Sequence, residues 1–338
     1  VTATTAPGRR VTPTARLVLP ATADRADWLA ARQRGIGSSD VPDILEVGYK
    51  TPSHVYYDKL GELPPDDLGE PGLWGTLHEE TIAREWARRN RSVVRRVGLI
   101  ANVDQPWMMC TLDRRVTECP LSRDVRERCA LEVKSRNAWT ASKWRRAVPD
   151  DVLAQTLHQI AVSGYDHIHT AVLIGGNDYR QNVIRRQGNE QLIDDIATVA
   201  GQMWQRIQTR TPPPTTGNPE RLLELWDRLN PDRDGVADLD QTDAYEQLLA
   251  YEDARLREKA AKAEKEQAKA RLVELLGGNA MGAFGNQYAY GLNPTSKATP
   301  DLERLAEEFP DAYAACVEDK PGHRLHIAKE HRLTEPLS

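Results

Sequence analysis

Two acidic residues and a lysine define the chemistry this chain could perform. Asp113 ends the run Thr111-Leu112-Asp113, and Glu132 and Lys134 follow in Leu131-Glu132-Val133-Lys134 after a polar stretch. Side chains alternate across a strand with period two, so Glu132 and Lys134 share one face of the strand predicted over CALEVKS, and a turn back to LDRRVTE brings Asp113 close to them. Two carboxylates suit Mg²⁺, which keeps several waters and binds through only one or two carboxylates. A lysine alongside can position or polarise an attacking water. The same three residues would also serve as a surface ion pair, because Asp…Glu-x-Lys is a common pattern.

Strand signals over SVVRRVGLIANV, PWMMCTLDRRVTE and CALEVKS predict three consecutive antiparallel strands, a meander carrying that motif. Before it, GLWGTLHEETIAREWARR predicts a helix that buries Leu77, Ile82, Ala83 and Trp86. Glu79 lies early on this helix, where it can lean toward a metal held by the strands. After it, DDVLAQTLHQIAVSG predicts a helix with Gln155 and Gln159 four residues apart on one face and His158 beside them. HTAVLIGG and DYRQNVIRR read as a buried strand and its neighbour, and EQLIDDIATVAGQMWQRIQ as an amphipathic helix. Upstream, Asp24 or Asp27 can cap a short helix carrying Trp28 and Arg32. The turn Gly35–Asp40 then feeds a second helix with Val41, Ile44 and Leu45, which the Ser/Asp pair can cap. Amides at that helix start, with the Ser39 hydroxyl and Arg32, would suit a phosphate group.

The chain has 338 residues, a formal net charge of -5 and 40% hydrophobic residues, enough for a substantial core. The acidic balance argues against a uniformly basic nucleic-acid binder but not against a local basic groove. The cysteines, Cys110, Cys119, Cys129 and Cys316, form no CxxC pair and no zinc-ligand spacing, so reduced thiols are expected in preference to disulfides or a metal cluster. No apolar run approaches a membrane span and the first residues lack a signal-peptide core, so a cytoplasmic protein without membrane association is expected. Residues 1–24 read as a flexible arm, residues 25–212 as the main domain, and residues 213–338 as a helical extension with a long helix over about 238–277. The proline run TPPPTTGNP marks the boundary.

Five motifs in order resemble one family. Trp28-x-x-x-Arg32 with Gly35-Ile36-Gly37-Ser38-Ser39-Asp40, Gly75-Thr76-Leu77-His78-Glu79, Thr111–Asp113, Leu131–Lys134, and Gln155-Thr156-Leu157-His158-Gln159 followed by Gly164-Tyr165-Asp166 are similar to the YqaJ-type viral recombinases, relatives of phage lambda exonuclease within the PD-(D/E)xK nucleases. The resemblance covers about residues 26–210. Glu80 and Leu157 depart from it, standing where the family often carries proline and glutamine. It implies an α/β (α+β) restriction-endonuclease-like core, a mixed central sheet flanked by helices. It also implies an Mg²⁺-dependent (or Mn²⁺-dependent) 5′-to-3′ exonuclease acting on linear double-stranded DNA, which leaves 3′ tails for recombination by a single-strand annealing partner. In that reading Asp113, Glu132, the Val133 carbonyl and Glu79 hold metal, Lys134 acts on the water, Gln155, Gln159 and His158 support the site, and Arg32 and Ser39 bind the terminal 5′-phosphate. A ring-shaped homotrimer and a bacteriophage source follow from the same resemblance. The alternatives are a RecB-like end-processing nuclease of other polarity and a non-catalytic DNA-end-binding adaptor.

Overall fold

The computed structural model describes residues 9–64, 69–121, 129–318 and 325–336. In chain order the elements are β1 (Ala15–Leu19), α1 (Arg25–Arg32), α2 (Val41–Ile44), α3 (Pro52–Leu60), α4 (Gly69–Asn90), β2 (Val94–Arg95), β3 (Leu99–Asn102), β4 (Met109–Thr111), β5 (Arg114–Val116), β6 (Cys129–Arg136), α5 (Asp150–Ser163), β7 (His167–Ile174), β8 (Asp178–Arg185), α6 (Glu190–Gln208) and α7 (Pro219–Leu229). These belong to one compact unit that ends at Arg233.

The expected meander is divided between two sheets. β1, β3 and β4 form a three-stranded antiparallel sheet, while β2, β5, β6, β7 and β8 form a five-stranded mixed sheet in that order. Each long run of strand signal breaks in the middle: SVVRRVGLIANV becomes β2 and β3, and PWMMCTLDRRVTE becomes β4 and β5. Backbone crowding accounts for the first break, since a Cβ at Gly98 would stand 1.7 Å from the Leu19 carbonyl oxygen. The second break falls at Leu112 and Asp113, so the chain changes sheets at the candidate metal ligand. β5 and β6 are antiparallel as predicted, with Arg114 opposite Leu131 and Val116 opposite Cys129. β6 and β7 run parallel, joined through α5, and β8 returns antiparallel to β7.

Helices cover both faces of the mixed sheet, as expected for the fold class. On one face Ala130 and Ile168 pack with Ala154, Leu157 and Ile160 of α5 and with Ile193, Ile196 and Met203 of α6. On the other, Leu131, Val133 and Ala171 pack against Ile82, Ala83 and Trp86 of α4. Leu77, predicted to be buried, is 53% exposed. α4 begins at Gly69, and residues 65–68 lie outside the described residues.

Two boundaries differ from expectation. Part of the predicted flexible arm is β1, which pairs with β3 and buries Ala15 completely, while residues 1–8 lie outside the described residues. Composition hides this strand because its backbone partners lie about 85 residues away; Ala15 pairs with Asn102. The first unit also continues past the proline run, since α7 beyond it buries Leu222 and Leu225. The second unit, residues 234–338, contains α8 (Gln241–Leu276), a hairpin of β9 (Met281–Phe284) and β10 (Gln287–Gly291), α9 (Leu302–Glu308) and α10 (Pro310–Cys316). α8 agrees with the long helix read from sequence: the Asp240 carboxylate accepts from the amides of Thr242 and Asp243, and Gly277 ends it.

Gly98→Ala forces backbone to move at the junction of the two sheets. We expect a loss of about 1–3 kcal/mol, read as a lower midpoint in chemical denaturation at an unchanged slope.

Candidate active site

Asp113 occupies the gap between β4 and β5, one residue before β5 begins to pair with β6. Where that pairing ends on β6, the Val133 amide would lack a strand partner, and it donates instead to Asp113 Oδ2 at 2.7 Å. A residue's N–H and C=O leave a strand on the same side, so the Val133 carbonyl also faces Asp113. Glu132 and Lys134 meet as predicted, with Lys134 Nζ 2.6 Å from Glu132 Oε1.

α5 supplies the rest of the cradle. Gln155 accepts from Lys134 Nζ at 2.8 Å and donates to Glu132 Oε1 at 2.6 Å. Gln159 donates to Glu132 Oε2 at 2.6 Å and to the Thr111 carbonyl at 3.3 Å. Glu132, only 2% exposed, is thus held by three side-chain donors, which is how a buried carboxylate is stabilised. His158 does not face the carboxylates. It is fully buried near the backbone of Ile36 and Met109, and burial drives its pKa down to about 4, so its neutral ring is part of the packing beneath the site.

Glu79 approaches from α4 and lines one cleft with Asp113, Thr111 and Trp28. Arg114, which the sequence did not single out, donates to Glu79 and, at 2.7 Å, to Glu80 Oε2. Glu80 is therefore a second carboxylate on a buried arginine. Its pKa is lowered, first by the Arg84 hydrogen bond.

Arg32 and Ser39 also meet, Arg32 Nη2 standing 3.2 Å from Ser39 Oγ. The expected Ser/Asp cap of α2 does not form: the Asp40 side chain makes no cap bond there. It accepts instead from the Gly37 amide at 2.7 Å, from Arg32 at 2.7 Å and from Lys59 at 2.6 Å. Burial alone would raise the Asp40 pKa, yet Lys59 and then Arg32 bring it down to about 2. Lys59, from α3, also donates to the Arg32 carbonyl at 3.0 Å. Sequence reading missed it because no local pattern links positions 27 residues apart. Arg32, Ser39 and Trp28 line a second cleft. Trp28 is a wall of both clefts, and the Arg32 guanidinium lies 4.7 Å from its ring centroid.

Asp113, Glu132 and Glu79 bring three carboxylates and a carbonyl together, a hard oxygen donor set that fits Mg²⁺ or Mn²⁺. Among the described residues Asp113 Oδ1 accepts no hydrogen bond, and the buried Gln159 Oε1 has no partner. Burial first, then Glu132, hold the Asp113 carboxyl well above the ordinary aspartate range, with Glu79 adding to the rise against Lys134 and the Val133 amide.

A second metal-capable group brings together two of the cysteines, which are free thiols as expected but stand beside two histidines. Cys119 and Cys129 converge with His167 and His169, all four ligand atoms lying within 4.8 Å of one another. Their sequence signal is weak: nine residues separate the cysteines, and only the alternating His-x-His on β7 marks a shared face.

Because the folded protein holds the Asp113 proton more tightly than the unfolded chain does, this group stabilises most below about pH 4. That contribution disappears as pH rises through the raised pKa. Asp113→Asn keeps an acceptor for the Val133 amide and should remove this slope in Mg²⁺-free denaturation measured across pH; an unaltered slope would place the titration elsewhere.

Residues 27–166 match the family described as the YqaJ-like viral recombinase domain. The chain is 26% identical over 314 residues to a protein of Bacillus subtilis (strain 168) described as "Uncharacterized protein YqaJ", covering 90% of this chain and 94% of that one. Its fold is similar to the crystal structure of an alkaline exonuclease, LHK-Exo, from Laribacter hongkongensis, at 17% identity and a TM-score of 0.45, over 55% of this chain and 94% of that one. The LHK-Exo complex with dAMP gives 18% identity and a TM-score of 0.46 over the same shares. Among the described residues no helix is long and apolar enough to cross a membrane. The Trp28–Arg32, Glu79, Asp113, Glu132–Lys134 and Gln155–Gln159 motifs all lie inside residues 27–166, the span that is similar to the YqaJ-like viral recombinase domain.

Proposed function

We propose that this protein is a metal-dependent exodeoxyribonuclease that degrades linear duplex DNA from 5′ ends and leaves 3′ single strands for annealing. One observation carries this reading: the Asp113–Glu132–Lys134 cluster adjoins a cleft whose Trp28 wall also belongs to the cleft of Arg32 and Ser39. Asp113 in one cleft and Arg32 with Ser39 in the other thus share one aromatic wall.

Asp113, Glu132 and the Val133 carbonyl would hold the metal, with Glu79 as a further ligand released from Arg114 or shared with it. Mg²⁺ held by these residues would supply charge stabilisation for an in-line displacement at phosphorus. Lys134 uses two of its three N–H donors on Glu132 and Gln155, which fixes the ammonium and leaves one for a water or a phosphate oxygen. Gln155 and Gln159 keep the Glu132 carboxylate from rotating. Asp40 and Lys59 fix Arg32 before DNA arrives, so that little side-chain entropy is lost when a terminal phosphate binds.

Lys134→Ala should lower cleavage of linear duplex by roughly 10²–10⁴-fold while DNA binding persists, since phosphate contacts supply most affinity. Cleavage at the wild-type rate would remove Lys134 from the chemistry. Arg32→Ala should abolish the advantage of 5′-phosphorylated over 5′-hydroxyl ends. Time courses on end-labelled linear and closed-circular duplexes, with and without Mg²⁺, measure activity, polarity and end dependence together. Degradation from 3′ ends would favour an end-processing nuclease of other polarity.

A further inference from the structure

The Cys119, Cys129, His167 and His169 group stands on the opposite face of the mixed sheet from Glu132 and Lys134. Positions 129, 131 and 133 of β6 face α4, whereas Ala130 and the even positions after it face α5. β6 and β7 are parallel with Leu131 opposite His169, so Cys129 opens β6 next to His167 at the start of β7. Cys119 comes from the chain just beyond β5, whose Val116 is paired with Cys129. Three adjacent strands therefore deliver their ends to one point.

Its geometry is that of a metal site. Cys119 Sγ lies 3.2 Å from His167 Nε2 and 3.5 Å from His169 Nε2. A tetrahedral zinc with Zn–S near 2.3 Å and Zn–N near 2.0–2.1 Å sets its sulfur and nitrogen ligands about 3.5 Å apart. Cys129, His167 and His169 are 0%, 5% and 3% exposed, and Cys119 is 9% exposed. The Leu121 amide donates to Cys119 Sγ at 3.4 Å, a contact that favours a thiolate, and the Trp86 ring packs 4.9 Å from that of His169.

We propose that Cys119, Cys129, His167 and His169 bind a structural zinc ion that clamps the ends of β5, β6 and β7. Two thiolates and two imidazoles complete a tetrahedral Zn²⁺ shell and leave no open position for a substrate, which is the mark of a structural site. Binding displaces the two thiol protons to solvent and leaves a neutral centre. The clamp fixes β6 three residues before Glu132. Its ligands are separate from the carboxylates, so this inference does not depend on the cleavage chemistry.

The test is metal analysis of the full chain purified under reducing conditions, together with visible absorption after Co²⁺ replacement. We expect one zinc per chain, retained in Asp113→Asn and lost in Cys129→Ser and in His169→Gln. Co²⁺ should give the d–d and thiolate charge-transfer bands of tetrahedral S₂N₂ coordination, and chelation of zinc from the wild type should lower Tm by roughly 10 °C. Should the variants not fold, mercurial titration of the wild-type thiols reports instead, with zinc released in step with modification of Cys119 and Cys129. Protein that takes up less than a tenth of an equivalent of zinc after reconstitution, a Cys119–Cys129 disulfide in its place, or zinc lost with Asp113→Asn and kept in the cysteine and histidine variants would each overturn the proposal.

Discussion

The hydrogen bond from the Val133 amide to Asp113 Oδ2 is the contact on which the candidate active site depends. β5 is only three residues long, so β6 runs on beyond its partner with backbone groups that need acceptors. Asp113 fills that role with a side chain where a strand would use a carbonyl. Completing the ladder and bringing a carboxylate to Glu132 are therefore one event. Glu132 then requires cationic or amide donors because it is buried, and Lys134, Gln155 and Gln159 provide them from β6 and α5.

The same logic governs the second cleft. Asp40 is buried and therefore costly as an anion, and the Gly37 amide, Lys59 and Arg32 offset that cost. Arg32 gains a fixed direction from this arrangement while keeping part of its guanidinium accessible. A single buried carboxylate thus ties together α1, the Gly35–Asp40 turn and α3.

β6 links these features to the far side of the sheet. Its alternate residues carry the carboxylate and lysine toward α5 and Cys129, Leu131 and Val133 toward α4. Burial of Trp86 against that second face holds α4 in place, and α4 in turn presents Glu79 to the cleft through Arg114. The strand is in this sense a two-sided support, one side polar, the other apolar and ending in the Cys/His group.

Local pattern alone determined much of this protein. Period-two alternation put Glu132 and Lys134 on one face, the four-residue spacing paired Gln155 with Gln159, and periodic apolar residues marked α5 and α6 nearly to their ends. Each of these depends on geometry within one element, which the sequence encodes directly. Only the tertiary structure decided that the strand runs break into two sheets, that Ala15–Leu19 is a strand, that Asp40 answers Arg32 and Lys59 instead of capping α2, and that Cys119 and Cys129 meet His167 and His169. Those outcomes rest on pairings between segments distant in sequence, where burial leaves a carboxylate, an amide or a thiol in need of a partner that no local spacing can name.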